Sequence, residues 1–129
     1  MRGQIALEYL LVLTIILAAF SFIVSKAIPQ YNKAIERMEI VYAERVLKEM
    51  ENYARGLMPL AEGSFFKIEV KPKRKWLISS GNFGIEAEIE NERVRINAEN
   101  IFCESFLSIN EKGKIKLEKR DGCVIISQE

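Results

Sequence analysis

The chain has 129 residues, with 19 Lys and Arg against 18 Asp and Glu and no histidine. That length bounds it to one domain plus an appendage, and the cancelled charge excludes a global field drawing it to nucleic acid or acidic membranes. The missing histidine removes the commonest metal ligand and general base, and no Walker A, G-x-S-x-G or H-E-x-x-H pattern occurs, so no catalytic, cofactor-binding or metal-ligating residue is expected and the chain does not read as an enzyme.

In chain order, the first nine residues run Met1-Arg2-Gly3-Gln4-Ile5-Ala6-Leu7-Glu8-Tyr9, and no charge follows from Tyr9 to Ser25. A carboxylate at the mouth of an apolar segment is costly in lipid, about 2.5–3.5 kcal/mol at mid-bilayer and less near an interface. Glu8 therefore points to a helix that must find a partner for its charge. Gly3, Gln4, Glu8 and Tyr9, leading at once into the apolar run, resemble the class III signal peptide of archaeal type IV pilins. In that family a prepilin peptidase cuts just before a glutamine, within a pattern of glutamine, any residue, serine, any residue, glutamate and an aromatic. Gln4, Glu8 and Tyr9 match, Gly3 lies on the amino side of the cut, and Ala6 stands where the pattern prefers serine.

The resemblance covers residues 1–25. It implies a membrane precursor cut between Gly3 and Gln4, after which the new α-amino group of Gln4 in one subunit meets Glu8 of a neighbour. In a dry helical bundle such a pair compensates two charges that are each expensive alone. The implied partners are other copies or other pilins, the prepilin peptidase, the pilus assembly platform and, before assembly, membrane lipid. The implied product is a major or minor subunit of a cell-surface filament with a role in adhesion. Two other readings compete. Glu8 could be a tolerated interfacial residue of an uncut anchor that presents a small extracellular binding module. Ser25-Lys26-Ala27 has the small-x-small form of a secretory cleavage site, although the apolar run is long for that purpose and Glu8 breaks it.

As a helix, Ile5 to Ser25 is about 31 Å long, close to the thickness of a hydrocarbon core. It is apolar all round, so it must be enclosed by lipid or by other helices. Lys26 and Pro29 close it. Tyr31, Ala34, Ile35, Met38, Val41, Tyr42, Val46, Met50, Tyr53, Ala54 and Leu57 then recur at spacings of three and four, an amphipathic helix from Gln30 to Arg55. Its polar face pairs Arg45 with Glu49, Glu44 with Lys48 and Glu51 with Arg55, and Gly56 and Pro59 supply the stop. The two segments are expected to join as one rod kinked near Pro29, where a backbone donor is missing.

From Ser64 the period changes to two. Strands are expected at Phe65–Lys71, Lys75–Ser79, Phe83–Glu90, Arg93–Ala98, Ile101–Ile109, Lys114–Lys119 and Cys123–Ser127. The clearest piece is a hairpin turning at Asn91-Glu92, which sets Glu90 opposite Arg93 and Glu88 opposite Arg95, with the aliphatics together on the other face. The basic run Lys71-Pro72-Lys73-Arg74-Lys75 before Trp76 has the makings of a nucleic-acid platform, but beside a proline turn it reads better as a solvated loop. No Asn-x-Ser/Thr sequon occurs.

Cys103 and Cys123 belong to no C-x-x-C pair, which leaves little room for a zinc or thioredoxin-like site. Outside a membrane they can form a disulfide clamping the strand near Phe102 to the last strand; the other reading is two buried thiols packed as small apolar residues. A β head of this size is marginal alone, and the apolar face of the second helix offers the surface to complete it. The expected fold is α+β, a long N-terminal helix with an apolar and then an amphipathic half, packed against a small antiparallel sheet, as in type IV pilins. The expected divisions are a leader at 1–3, a membrane or filament-core helix at 4–28, an amphipathic helix at 29–60 and a β head at 61–129.

Overall fold

The structure is a computed structural model describing residues 2–129. It contains one helix, α1 (Arg2–Leu57), and seven strands: β1 (Phe65–Val70), β2 (Trp76–Gly81), β3 (Gly84–Ile89), β4 (Glu92–Asn97), β5 (Ser105–Ile109), β6 (Gly113–Arg120) and β7 (Cys123–Gln128). The fold is α+β. Two units divide it, the first ending at Arg37 and the second running Met38–Glu129. Pro29 lies inside α1 without ending it.

In the first unit every side chain from Arg2 to Ala34 is exposed. Thr14 and Ser25 donate their hydroxyls to the carbonyls of Leu10 and Phe22, at 2.8 and 2.7 Å. This local bonding hides two polar groups against the backbone and leaves the helix surface nearly uniform in its apolarity.

The second unit encloses its own core. From α1, Ala43, Val46, Leu47, Met50, Ala54 and Leu57 are buried. This stripe differs from the expected one: Ala43 and Leu47 belong to it, while Met38, Val41 and Tyr53 remain exposed. Two of the three anticipated i, i+4 ion pairs form on its polar face, Glu44–Lys48 and Glu51–Arg55.

Against the helix stand two antiparallel sheets rather than one, ordered β1-β6-β7 and β4-β3-β2-β5. Their alternate residues, Ile68, Ile115, Leu117, Val124 and Ile126 in the first and Trp76, Ile78, Ile85 and Ile109 in the second, join the helix in one cluster. Period-two alternation shows which residues face inward but not which strands pair, so the division into two sheets was not readable from it.

The β3–β4 hairpin forms with a different register from the expected one. Ile89 pairs with Glu92, so Glu88 faces Arg93 and Glu86 faces Arg95. The turn consists of Glu90 and Asn91, and Glu90 takes a left-handed φ of 54°. The pairing is displaced by two residues, which preserves the inward set because side chains alternate with period two. The strand expected to start at Ile101 starts at Ser105 instead. Residues before it lock onto β7, with Cys103 N–H donating to the Val124 carbonyl at 3.0 Å and Val124 N–H to Ile101 at 2.9 Å.

Candidate functional site

The residues singled out by sequence fall in two places. Gly3, Gln4 and Glu8 lie on the exposed opening turns of α1. A Cβ at Gly3 would meet nothing within 4 Å, so no distant part of the described residues packs against that position. Gln4 and Glu8 are one turn apart and share a helix face. Glu8 has no hydrogen-bond or ion-pair partner among the described residues. Downstream, Leu10, Leu13, Ile16, Leu17, Phe20 and Ile23 are all exposed, and the helix is long and apolar enough to cross a membrane. The site is thus a bare apolar cylinder with one carboxylate near its start.

Cys103 and Cys123 lie together in the second unit as a disulfide, with Cα atoms 5.3 Å apart. Cys103 lies in the β4–β5 connection, two residues before β5, and Cys123 opens β7, so the bond ties the approach to β5 in one sheet to β7 in the other.

Glu39 went unnoticed in the sequence. It is 4% exposed in the second unit. Its Oε1 accepts from the Trp76 indole N–H at 2.8 Å and from the Lys73 backbone N–H at 2.9 Å. One turn on, the Tyr42 hydroxyl accepts from Lys71 N–H at 3.1 Å, and the Tyr42 and Trp76 rings lie 5.4 Å apart. Helix α1 thereby clasps the β1–β2 loop. One signal was available: Glu39 sits four residues before Ala43, which is four before Leu47, so it continues the buried stripe. Trp76 is fully buried and therefore offers no stacking face beside the basic run. Arg74 pairs with Glu90.

Among the described residues no group of three His, Cys, Asp or Glu could hold a metal ion. The described residues present an exposed apolar helix segment and a domain that encloses its own core. No protein-family model, curated protein or solved structure matches the chain.

Proposed function

We propose that this chain is a structural subunit of an archaeal type IV pilus-like surface filament with a role in adhesion. It enters the membrane as a precursor, is cut by a prepilin peptidase between Gly3 and Gln4, and is assembled on a membrane platform through α1. The observation that carries this reading is Glu8, an exposed carboxylate at the start of a wholly exposed apolar helix. Lipid can cover the leucines and phenylalanines, but it gives a carboxylate no partner, whereas a neighbouring α-amino group does. Exposed apolar residues also continue past Ser25 within the first unit, at Ile28 and Tyr31.

The experiment is amino-terminal sequencing of the chain recovered from the native cell surface. The proposal expects a start at Gln4; a start at Ile28 would mean secretory cleavage. A second reading has one observation in its favour. The second unit closes its own core, as an extracellular binding module on an uncut single-pass anchor must. That reading expects a start at Met1.

A further inference from the structure

A concavity of about 690 Å³ opens at the β2–β3 turn, lined by Ser80, Gly81, Asn82, Phe83, Glu104, Ser105 and Phe106. It lies at the opposite end of β2 from Trp76 and the Glu39 clasp. Its volume falls within the range of small-molecule sites, and its lining joins aromatic rings to a few polar groups.

The floor is rigid. Ser80 Oγ donates to the Cys103 carbonyl at 2.8 Å and lies 2.6 Å from Ser105 Oγ. Cys103 is itself held by the disulfide to Cys123. The turn is pinned from outside, since Ala98 N–H donates to the Phe83 carbonyl at 3.1 Å and Asn100 N–H to that of Asn82 at 3.3 Å. A Cβ at Gly81 would come within 3.2 Å of the Phe83 ring and 3.7 Å of Glu104 Cγ. Glycine there leaves room for the Phe83 ring in its observed position.

Above this floor Phe106 is 68% exposed, a large apolar ring left in water on a strand. Glu104 is exposed beside it and makes no ion pair among the described residues. The charges limit the ligand. Arg95 stands over Phe83, 4.5 Å from its centroid, and so occupies one face of that ring. Glu104 disfavours an anion. A purely apolar ligand would desolvate Glu104 and Asn82 without hydrogen-bonding either. A neutral ligand with an apolar face and many hydroxyls uses both the exposed Phe106 ring and the polar groups beside it.

We infer that this concavity is a saccharide-binding site. The C–H face of a pyranose lies on the Phe106 ring, and its hydroxyls bond to the Glu104 carboxylate and the Asn82 amide. The inference names a ligand class for the adhesion part of the proposed function and rests on that reading only there. The concavity lies wholly in the second unit and would serve a tethered module equally.

The test is saturation-transfer NMR on the full chain in lipid nanodiscs, which avoids detergents with sugar headgroups. The probes are a panel of neutral oligosaccharides ending in glucose, galactose or N-acetylhexosamine, with hexa-arginine as the cationic control. At least one saccharide should receive saturation through its ring C–H protons. Phe106→Ala should weaken that binding at least tenfold and Glu104→Gln should weaken it less, with the unfolding temperature of each variant unchanged as a check on folding. Binding of hexa-arginine in place of any saccharide, or saccharide binding unaffected by Phe106→Ala, would overturn the inference, as would silence across the whole panel. Filament counts are read separately, so failure of the saccharide site and failure of the assembly reading give different results.

Discussion

Two stretches of one helix, Ile5–Ser25 and Ala43–Leu57, carry similar side chains into opposite circumstances. Leu47 and Met50 are fully buried by the sheets of their own chain, while Leu13 is 41% and Phe20 65% exposed. The same contrast holds for two glutamates. Glu39 is buried with two N–H donors of its own unit, whereas Glu8 is exposed beside apolar residues with no partner among the described residues. A buried acceptor left unbonded costs its full desolvation penalty, so a carboxylate that is to be covered needs its donors supplied. The second unit supplies them internally. For Glu8 the described residues supply none, and on the proposed assembly reading they come from another molecule.

The largest expected effect comes from making one substitution on both sides of that contrast. Leu47→Ala removes a fully buried side chain and should lower the stability of the second unit by about 2–5 kcal/mol, measured by denaturant unfolding followed through Trp76. Leu13→Ala should leave that transition in place, since Leu13 lies in the first unit and is not part of the core. Equal losses in both variants would break the comparison.

Next is the disulfide, which closes a sequence separation of 20 residues. In the chain-entropy model that is worth about 3 kcal/mol. The Cys103→Ser, Cys123→Ser double variant should unfold at correspondingly lower denaturant, and reductant should shift the wild type but not the variant.

The Glu39 clasp comes third. Glu39→Ala orphans the Trp76 indole N–H and the Lys73 N–H, a loss of roughly 2–3 kcal/mol for buried donors. Glu8→Ala should not move the same unfolding curve. A double-mutant cycle with Trp76→Phe would isolate the indole bond, and near-zero coupling would mean that the bond does not hold the loop.

The smallest effect is in acid. The hydrogen bond and charge of Lys112 hold the Glu69 carboxyl below its ordinary value of 4.5, and the hydrogen bond from Lys67 does the same for Glu129. Both folded-state values are lowered, so this stability is fully present above about pH 4.5 and is lost as pH falls below it through the folded values. Both groups are exposed, so the loss should be slight and should shrink further in high salt. Lys112→Met should flatten the Glu69 part of the acid limb of a stability-versus-pH curve.

The parts of the molecule governed by local rules were readable from the chain. Helix α1 runs through Gly56, one of the two expected stop residues, and ends at Leu57 before the other, Pro59; all seven strands occur near their expected places, because apolar periodicity and turn residues act over a few positions. The hairpin slipped because Asn91 was expected to open the turn, while the chain instead bends at Glu90 in a left-handed conformation. Strand order and the two-sheet split depend on contacts between residues far apart in sequence. Glu39 was missed for a related reason: its spacing to Ala43 and Leu47 hinted at burial, but a glutamate on an amphipathic helix looks solvated until the donors that satisfy it, Trp76 and Lys73, are known to be its neighbours. The saccharide concavity likewise joins β2, the β2–β3 turn and β5, and no run of sequence contains all three.

The most direct test of the central claim is the amount of this chain in sheared surface filaments relative to membranes, for wild type and Glu8→Ala. The account predicts wild-type chain in the filaments. It predicts that Glu8→Ala inserts and is cut before Gln4 as before but is strongly depleted from filaments, because the α-amino group of Gln4 has lost its carboxylate in a low-dielectric core. Equal incorporation of the Glu8→Ala chain, or wild-type chain confined to membranes, would contradict it.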